Sequence, residues 1–329
     1  MHPTFHPQLT LTHIQDAAQR IRGHAIRTPL LENDTLNNIT GGRVLLKAEC
    51  LQRTGSFKFR GAYNKIAQLS QAQLTLGVVA CSSGNHAQGL ARTAQLHNCN
   101  ATIVMPQDAP ALKISNTKRY GAKVVLYDRY TESREEIAHA IAEASGALFV
   151  PPYDDFDIMA GQGTCGLEIM QQANQRAIDL HAVLTASSGG GLTAGVATAV
   201  RSTKAQIQIH TVEPANHDDH ARSFAAGERI RNECPSASIC DALLAPEPGE
   251  HTFAVNKALV QTGFTVTENQ IKDAVRFAFA ELKLILEPGG AATLAAVINE
   301  KSLRGLNVAI VLSGGNIDPH LLSDLLTTE

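Results

Sequence analysis

The strongest constraint on this chain is its rhythm. Short apolar runs of strand length recur at Val44 to Glu49, Gly77 to Cys81, Ala101 to Met105, Lys123 to Tyr127, Ala147 to Val150, Ala182 to Ser187, Ile207 to Val212 and Asn307 to Leu312. Between them lie stretches with 3.6-residue periodicity, such as Ser133 to Ala144, Asp157 to Gln172 and Asn269 to Leu286. Unbroken apolar strands need cover on both faces, and strands that alternate with helices pair in parallel. The pattern therefore predicts an α/β fold of mainly parallel sheets flanked by helices. With 329 residues the chain can build two domains. The turn-rich Pro151-Pro152-Tyr153-Asp154-Asp155 is the expected crossing between them, and Glu228 to Glu250 reads as a long surface excursion.

Charge and cysteine usage narrow the function classes. Lys and Arg total 28 against 31 Asp and Glu, a formal net charge of -3, so no sequence-wide cationic field exists to hold a nucleic acid. The N-terminal segment lacks the apolar core of a signal peptide, and no later run approaches bilayer length, which predicts a cytoplasmic protein away from membranes. Cys50, Cys81, Cys99, Cys165, Cys234 and Cys240 lie far apart without a C-x-x-C pair and read as reduced structural thiols.

Three loops carry the chemistry. In Thr54-Gly55-Ser56-Phe57-Lys58-Phe59-Arg60-Gly61, just before an amphipathic helix expected to run to Leu69, Lys58 falls in or near the first turn. The positive end of the helix dipole and two flanking phenylalanines disfavour its ammonium form, which leaves a nucleophilic amine. The ordinary alternative is a surface lysine. Ser82-Ser83-Gly84-Asn85-His86-Ala87-Gln88-Gly89 follows a strand and offers hydroxyls, a glycine and opening helix amides to a carboxylate, although a plain serine helix cap reads equally well. The glycines of Ser187-Ser188-Gly189-Gly190-Gly191-Leu192 let several backbone amides converge on a phosphate.

The glycine loop also partly satisfies a dinucleotide fingerprint, Gly189-x-Gly191-x-x-Ala194 with Glu213 as the ribose-binding acid. A nicotinamide-dependent dehydrogenase is therefore a competitor. A hydride-transfer enzyme, however, has no use for an activated lysine and a second anion loop, whereas an amino-acid Schiff-base enzyme uses all three.

Taken with Leu312-Ser313-Gly314-Gly315-Asn316, the segments around Lys58, at Ser82 to Gly89 and at Ser188 to Gly191 resemble the serine/threonine dehydratase and serine racemase family. These are fold-type II pyridoxal-phosphate enzymes with a tryptophan-synthase-β-like fold, and the resemblance runs from about Leu30 to Asp318. It implies a discontinuous large cofactor domain, residues 1–73 and 152–329, and an inserted small substrate domain, residues 74–151, with a homodimer as the family norm.

By this likeness Lys58 binds pyridoxal 5'-phosphate as a Schiff base and then removes the α proton. Phe57 packs on the cofactor ring, Asn85 bonds its phenolic oxygen and Ser313 faces its nitrogen. Ser188, Gly189, Gly190, Gly191 and Leu192 take the phosphate. Ser82, Ser83, Asn85 and His86 receive the substrate carboxylate, with Arg134 near the pocket, although Arg134 reads equally well as a solvated helix residue with Glu partners. Glu213, the His217 carbonyl and Asp219 match an oxygen-only site for magnesium or another divalent cation.

The expected activity is an ammonia-lyase that dehydrates serine, threonine or a related 3-hydroxy amino acid to a 2-oxo acid and ammonia. Ser83, as a second acid/base, leaves a serine-type racemase as the alternative, while Tyr153 resembles the dehydratase form of its loop. The apolar run at Ile239 to Ala245 departs from the family's polar pattern and suggests a side chain other than that of serine. The few residues after Asn316 imply that the C-terminal regulatory domain of biosynthetic threonine deaminases is missing.

Overall fold

Alternate residues along each strand point to opposite faces of a sheet, so two sets of apolar contacts record the cover on each side. In the computed structural model, which describes residues 9–327 except 83, 110, 129 and 234–237, both sets are present. Val44, Leu46, Val308 and Ile310 join one hydrophobic cluster, while Leu45, Ala309 and Val311 join another on the reverse face. Every one of these side chains is fully buried.

Among the described residues, ten strands form two sheets. These are β1 (Leu30–Glu32), β2 (Val44–Lys47), β3 (Val78–Cys81), β4 (Ala101–Pro106), β5 (Lys123–Tyr127), β6 (Leu148–Phe149), β7 (Ala182–Ala186), β8 (Gln208–Pro214), β9 (Thr262–Val266) and β10 (Val308–Val311). The larger sheet runs β1-β2-β10-β7-β8-β9 and is parallel except for β1, which pairs antiparallel to β2. The smaller sheet, β5-β4-β3-β6, is wholly parallel. The expected α/β architecture is thus observed. No helix among the described residues is long and apolar enough to cross a membrane.

The smaller sheet's core draws on Ala62 and Ile66, from the helix that begins at Lys58, and on Ile158. This packing brings the Lys58 helix against the helix Asn85–Leu96. The helix Phe156–Gln175 crosses the helix Gly191–Thr203 at Gly163 and Gly195. A Cβ on Gly195 would run into the Met159 carbonyl and the Gly163 backbone, so only glycine permits this approach.

Several elements differ from the sequence pattern. The stretch expected to be helical from Asn269 to Leu286 is an α-helix over Glu268–Phe277, then a π-helical stretch over Ala278–Leu282 that stops at Lys283 with φ 57°. The apolar spacing continues past that stop only because Leu284 and Leu286 are buried by an extended segment. The helix after Lys58 ends at Ile66, short of Leu69. Edge strands β1 and β9 are not apparent in the pattern, since one spans three residues and the other is a partly exposed run containing Gly263. Among its described residues the segment Glu228 to Glu250 is irregular apart from the short helical turn Asp241–Leu243 and the helix start at Glu250, but it also walls the cleft described below.

Candidate active site

The loops at the carboxyl ends of β3, β7 and β10 converge on one cleft of about 690 Å³. This is where open parallel sheets collect ligands. Phe57, Lys58, Ser82, Asn85 and His86 line it from one side, and Ser188 to Leu192 with Ser313 from the other; Arg134 also reaches it. Ser83 and Cys234 lie outside the described residues. The other five cysteines are buried and free, and burial pushes the Cys81 thiol up to about 11.

Lys58 opens its helix, and its Nζ donates to the Pro152 carbonyl at 2.7 Å, 5.1 Å from the centre of the Phe57 ring. Burial lowers its pKa from the usual 10.5 to about 8. The chain is steered there by a turn with Thr54 at φ 61° and Gly55 at φ 73°; a Cβ on Gly55 would collide with the Asn316 amide. Phe57 N–H donates to the Ser313 carbonyl at 3.1 Å, so the lysine turn and the C-terminal loop hold each other.

The second loop is tied to both. Asn316 Nδ2 donates to the Thr54 carbonyl and to Asn85 Oδ1, each at 2.7 Å, and Asn85 Nδ2 donates to Glu287 Oε1. His86 Nε2 meets the Val150 carbonyl at 3.1 Å. A carbonyl only accepts, so the proton sits on Nε2 and Nδ1 is left as a buried acceptor without a protein partner. Burial, then the charge of Lys58, lower the His86 pKa to about 3, so this ring stays neutral. The Ser82 hydroxyl accepts from Gly84 N–H at 3.3 Å.

The glycine loop is built as an anion cradle. Gly190 takes φ 92° and precedes the helix Gly191–Thr203, and a Cβ on Gly189 would penetrate the Tyr153 ring. Among the described residues the amides of Ser188, Gly189 and Gly190 donate to no protein acceptor. Their carbonyls, in contrast, all accept from buried side chains. Free amides at a helix start suit a phosphate, and an amine in the same cleft that loses its proton more readily than an exposed lysine suits an aldehyde.

Residues that the sequence reading missed close the cleft. Glu287 caps the helix Pro288–Asn299 and is fully enclosed; burial raises its pKa to about 7, while Lys113 pulls it down and Asp241 pushes it up. Lys113, on the helix Ala111–Arg119, pairs with Asp241 from the opposite wall. The run at Ile239 to Ala245 therefore presents a carboxylate as well as apolar groups. Arg134 lines the cleft, is two-fifths exposed and bonds its neighbour Glu135 at 2.7 Å, a partner one position on and not at helical spacing.

Glu213 does not face the cleft as a ribose-binding acid would. Its two oxygens accept the backbone N–H groups of His220 and Ala221, each at 2.9 Å. Asp219 Oδ1 accepts from Asn232 at 2.8 Å, and its Oδ2 is buried without a partner. Burial raises the pKa of both carboxyls, and the charge of Asp219 raises Glu213 further. Two buried carboxylates that repel each other fit a cation between them. Among the described residues no group of three or more His, Cys, Asp or Glu side chains could hold a metal, so such a site requires the His217 carbonyl and waters.

A buried lysine of lowered pKa and a glycine-built phosphate cradle at the ends of parallel strands define a fold-type II pyridoxal-phosphate enzyme. Comparison with known proteins agrees. The chain belongs to the pyridoxal-phosphate dependent enzyme family, whose model matches residues 21–314. It is 42% identical to an L-threo-3-hydroxyaspartate ammonia-lyase of Pseudomonas sp, over 94% of this chain and 96% of the relative. It is 41% identical to a serine racemase of Arabidopsis thaliana, over 94% of each. A solved threonine deaminase, from T.th., superposes with a TM-score of 0.89 at 41% identity, over 94% of this chain and 99% of that one.

Proposed function

We propose that this chain is an ammonia-lyase acting on a 3-hydroxy amino acid, with threonine and threo-3-hydroxyaspartate as the leading substrates. The observation that carries the reading is the single cleft in which Lys58, the Ser82 to His86 loop and the free amides of Ser188 to Gly190 face a common space. The names of the ammonia-lyase and threonine deaminase relatives support it.

In this reading the Ser188 to Leu192 amides bind the cofactor phosphate and Phe57 supports the ring. Asn85 has one amide hydrogen committed to Glu287 and the other left for the ring oxygen. Ser313 offers a neutral hydroxyl to the ring nitrogen. Bound pyridoxal phosphate supplies an electron sink for the α carbon, and a neutral partner at its nitrogen keeps that sink weak, which favours prompt loss of a β group. Ser82, Ser83 and the backbone N–H groups of Asn85 and His86, which open their helix, orient the substrate carboxylate, with Arg134 at the pocket edge. Lys58 Nζ would take the α proton, the 3-hydroxyl would leave as water, its added proton balancing the one removed from the α carbon, and hydrolysis of the released enamine would yield a 2-oxo acid and ammonia.

The test is release of ammonia and 2-oxo acid from L-threonine, L-serine and L-threo-3-hydroxyaspartate by the reconstituted enzyme. No product from any of them refutes the proposal. The serine racemase relative favours a second reading, in which Ser83 is the opposing acid/base. Ser83→Ala should then abolish formation of the D-epimer and spare elimination.

The proposal extends to the assembly. Residues 74–151 form a small domain set into a large one of residues 1–73 and 152–329, and closure of the cleft between them excludes water. Glu213, the His217 carbonyl and Asp219 hold magnesium or another divalent cation outside the chemical step. The enzyme works as a cytoplasmic homodimer, which light scattering of the holoenzyme checks.

A further inference from the structure

The carbonyl side of the phosphate loop is held by three side chains that do not line the cleft. His220 Nε2 donates to the Ser188 carbonyl at 2.7 Å, Thr252 Oγ1 to the Gly189 carbonyl at 2.6 Å, and Asn256 Nδ2 to the Gly190 carbonyl at 3.1 Å. All three are fully buried. Thr252 and Asn256 stand one turn apart on the helix Glu250–Leu259, and His220 is in the first turn of the helix Asp219–Ala226. Glu213 in turn grips the backbone of His220 and Ala221.

A peptide unit carries its N–H opposite its C=O, so fixing consecutive carbonyls on one side of a tight loop fixes the direction of its amides. We propose that His220, Thr252 and Asn256 are positioning residues that, by holding the Ser188, Gly189 and Gly190 carbonyls, orient the N–H groups of Gly189, Gly190 and Gly191 and thereby set the loop's affinity for the cofactor phosphate. They touch neither cofactor nor substrate. The three are not equivalent. Gly189 and Gly190 carbonyls also accept from Gly249 and Ala194 N–H, at 3.2 and 2.9 Å, whereas His220 is the only donor found for the Ser188 carbonyl among the described residues. Loss of the His220 bond should therefore have the largest effect.

This inference rests on pyridoxal phosphate binding in the cleft, and its test separates the two. The apo chain is titrated with pyridoxal phosphate and with pyridoxal, which lacks the phosphate, and dissociation constants are read from visible absorbance. Stranding a buried carbonyl weakens phosphate-dependent binding roughly tenfold. His220→Phe should lose about that much affinity for pyridoxal phosphate and Thr252→Val, whose carbonyl keeps the Gly249 N–H, about threefold to fivefold, while pyridoxal changes less than about twofold. Thr252→Ser and His220→Gln keep a donor and should restore the preference. Parallel loss for both ligands, or no loss in Thr252→Val and His220→Phe, overturns the positioning role. Should His220→Phe fail to fold, the Thr252 pair decides alone. Wild-type protein that binds neither ligand overturns the cofactor reading and this inference together.

Discussion

The reactivity of Lys58 should switch on near pH 8. Burial is the only cause that lowers its pKa, from the usual 10.5 to about 8. At pH 7 a pKa of about 8 leaves about 9% of the amine uncharged, against about 0.03% at 10.5, a gain of roughly 300-fold. Lower basicity also weakens a nucleophile, and a Brønsted slope of about 0.5, as for thiols, returns roughly 20-fold of that gain over the shift. The net advantage over a solvent-exposed lysine is therefore about 15-fold at neutral pH. The hydrogen bond to the Pro152 carbonyl survives deprotonation, because a neutral amine still donates. The assay mixes apo protein with excess pyridoxal phosphate and follows the visible band over about pH 6 to 10, with a lysine peptide correcting for the reagent's own ionisations. The rate should rise tenfold per pH unit and level off near pH 8. A rate that climbs without a break to pH 10 would show that the cleft does not desolvate this amine, and Lys58→Arg should give no band at any pH.

Three further outcomes are expected of the apo chain. A carboxyl whose pKa is raised by folding binds its proton more tightly folded than unfolded, so Glu287 makes stability fall as pH climbs from its usual 4.5 to about 7. Glu287→Gln should gain on wild type across that window by up to about 3 kcal/mol, read from urea midpoints at about pH 4.5 and 8, and a gap that does not change with pH contradicts the burial argument. Arg60 is fully buried and bonds both oxygens of Glu49, each at 2.8 Å, and both of Glu168, at 2.8 and 2.9 Å. Arg60→Met leaves the buried Glu49 carboxylate with only the Thr28 hydroxyl, while Glu168 keeps its pair with Lys47, and should cost about 3–5 kcal/mol in urea unfolding; a loss below about 1 kcal/mol contradicts this. Gly195→Ala forces apart the helices Phe156–Gln175 and Gly191–Thr203, with an expected cost of about 1–3 kcal/mol that calorimetry would show as a lower Tm.

What could be read from the sequence, and what could not, follows from where each physical cause sits along the chain. The strands β2, β3, β7 and β10 are buried at every residue, which makes their apolar runs continuous and legible. Edge strands β1 and β9 are covered on fewer sides, and nothing local demands such a run there. The same division governs the site. Lys58, the Ser82 to His86 loop and the glycine loop each pack their chemistry into consecutive residues, so composition alone points at them. Glu287 shows the opposite case. The sequence Glu287-Pro288-Gly289-Gly290 announces a helix start, where a carboxylate is ordinarily stabilised by the dipole and exposed. It is instead an enclosed group because Lys283 turns the chain inward, because Gly314 leaves the volume that a Cβ would take from Glu287 Oε1, and because Asn85, 202 positions away, donates to it. His220, Thr252 and Asn256 are of the same kind, since each acts on a carbonyl between 32 and 66 positions distant. Groups that touch the ligand advertise themselves through residue type. Those that aim them act through backbone atoms of distant segments, and backbone atoms leave no signature in the residue string.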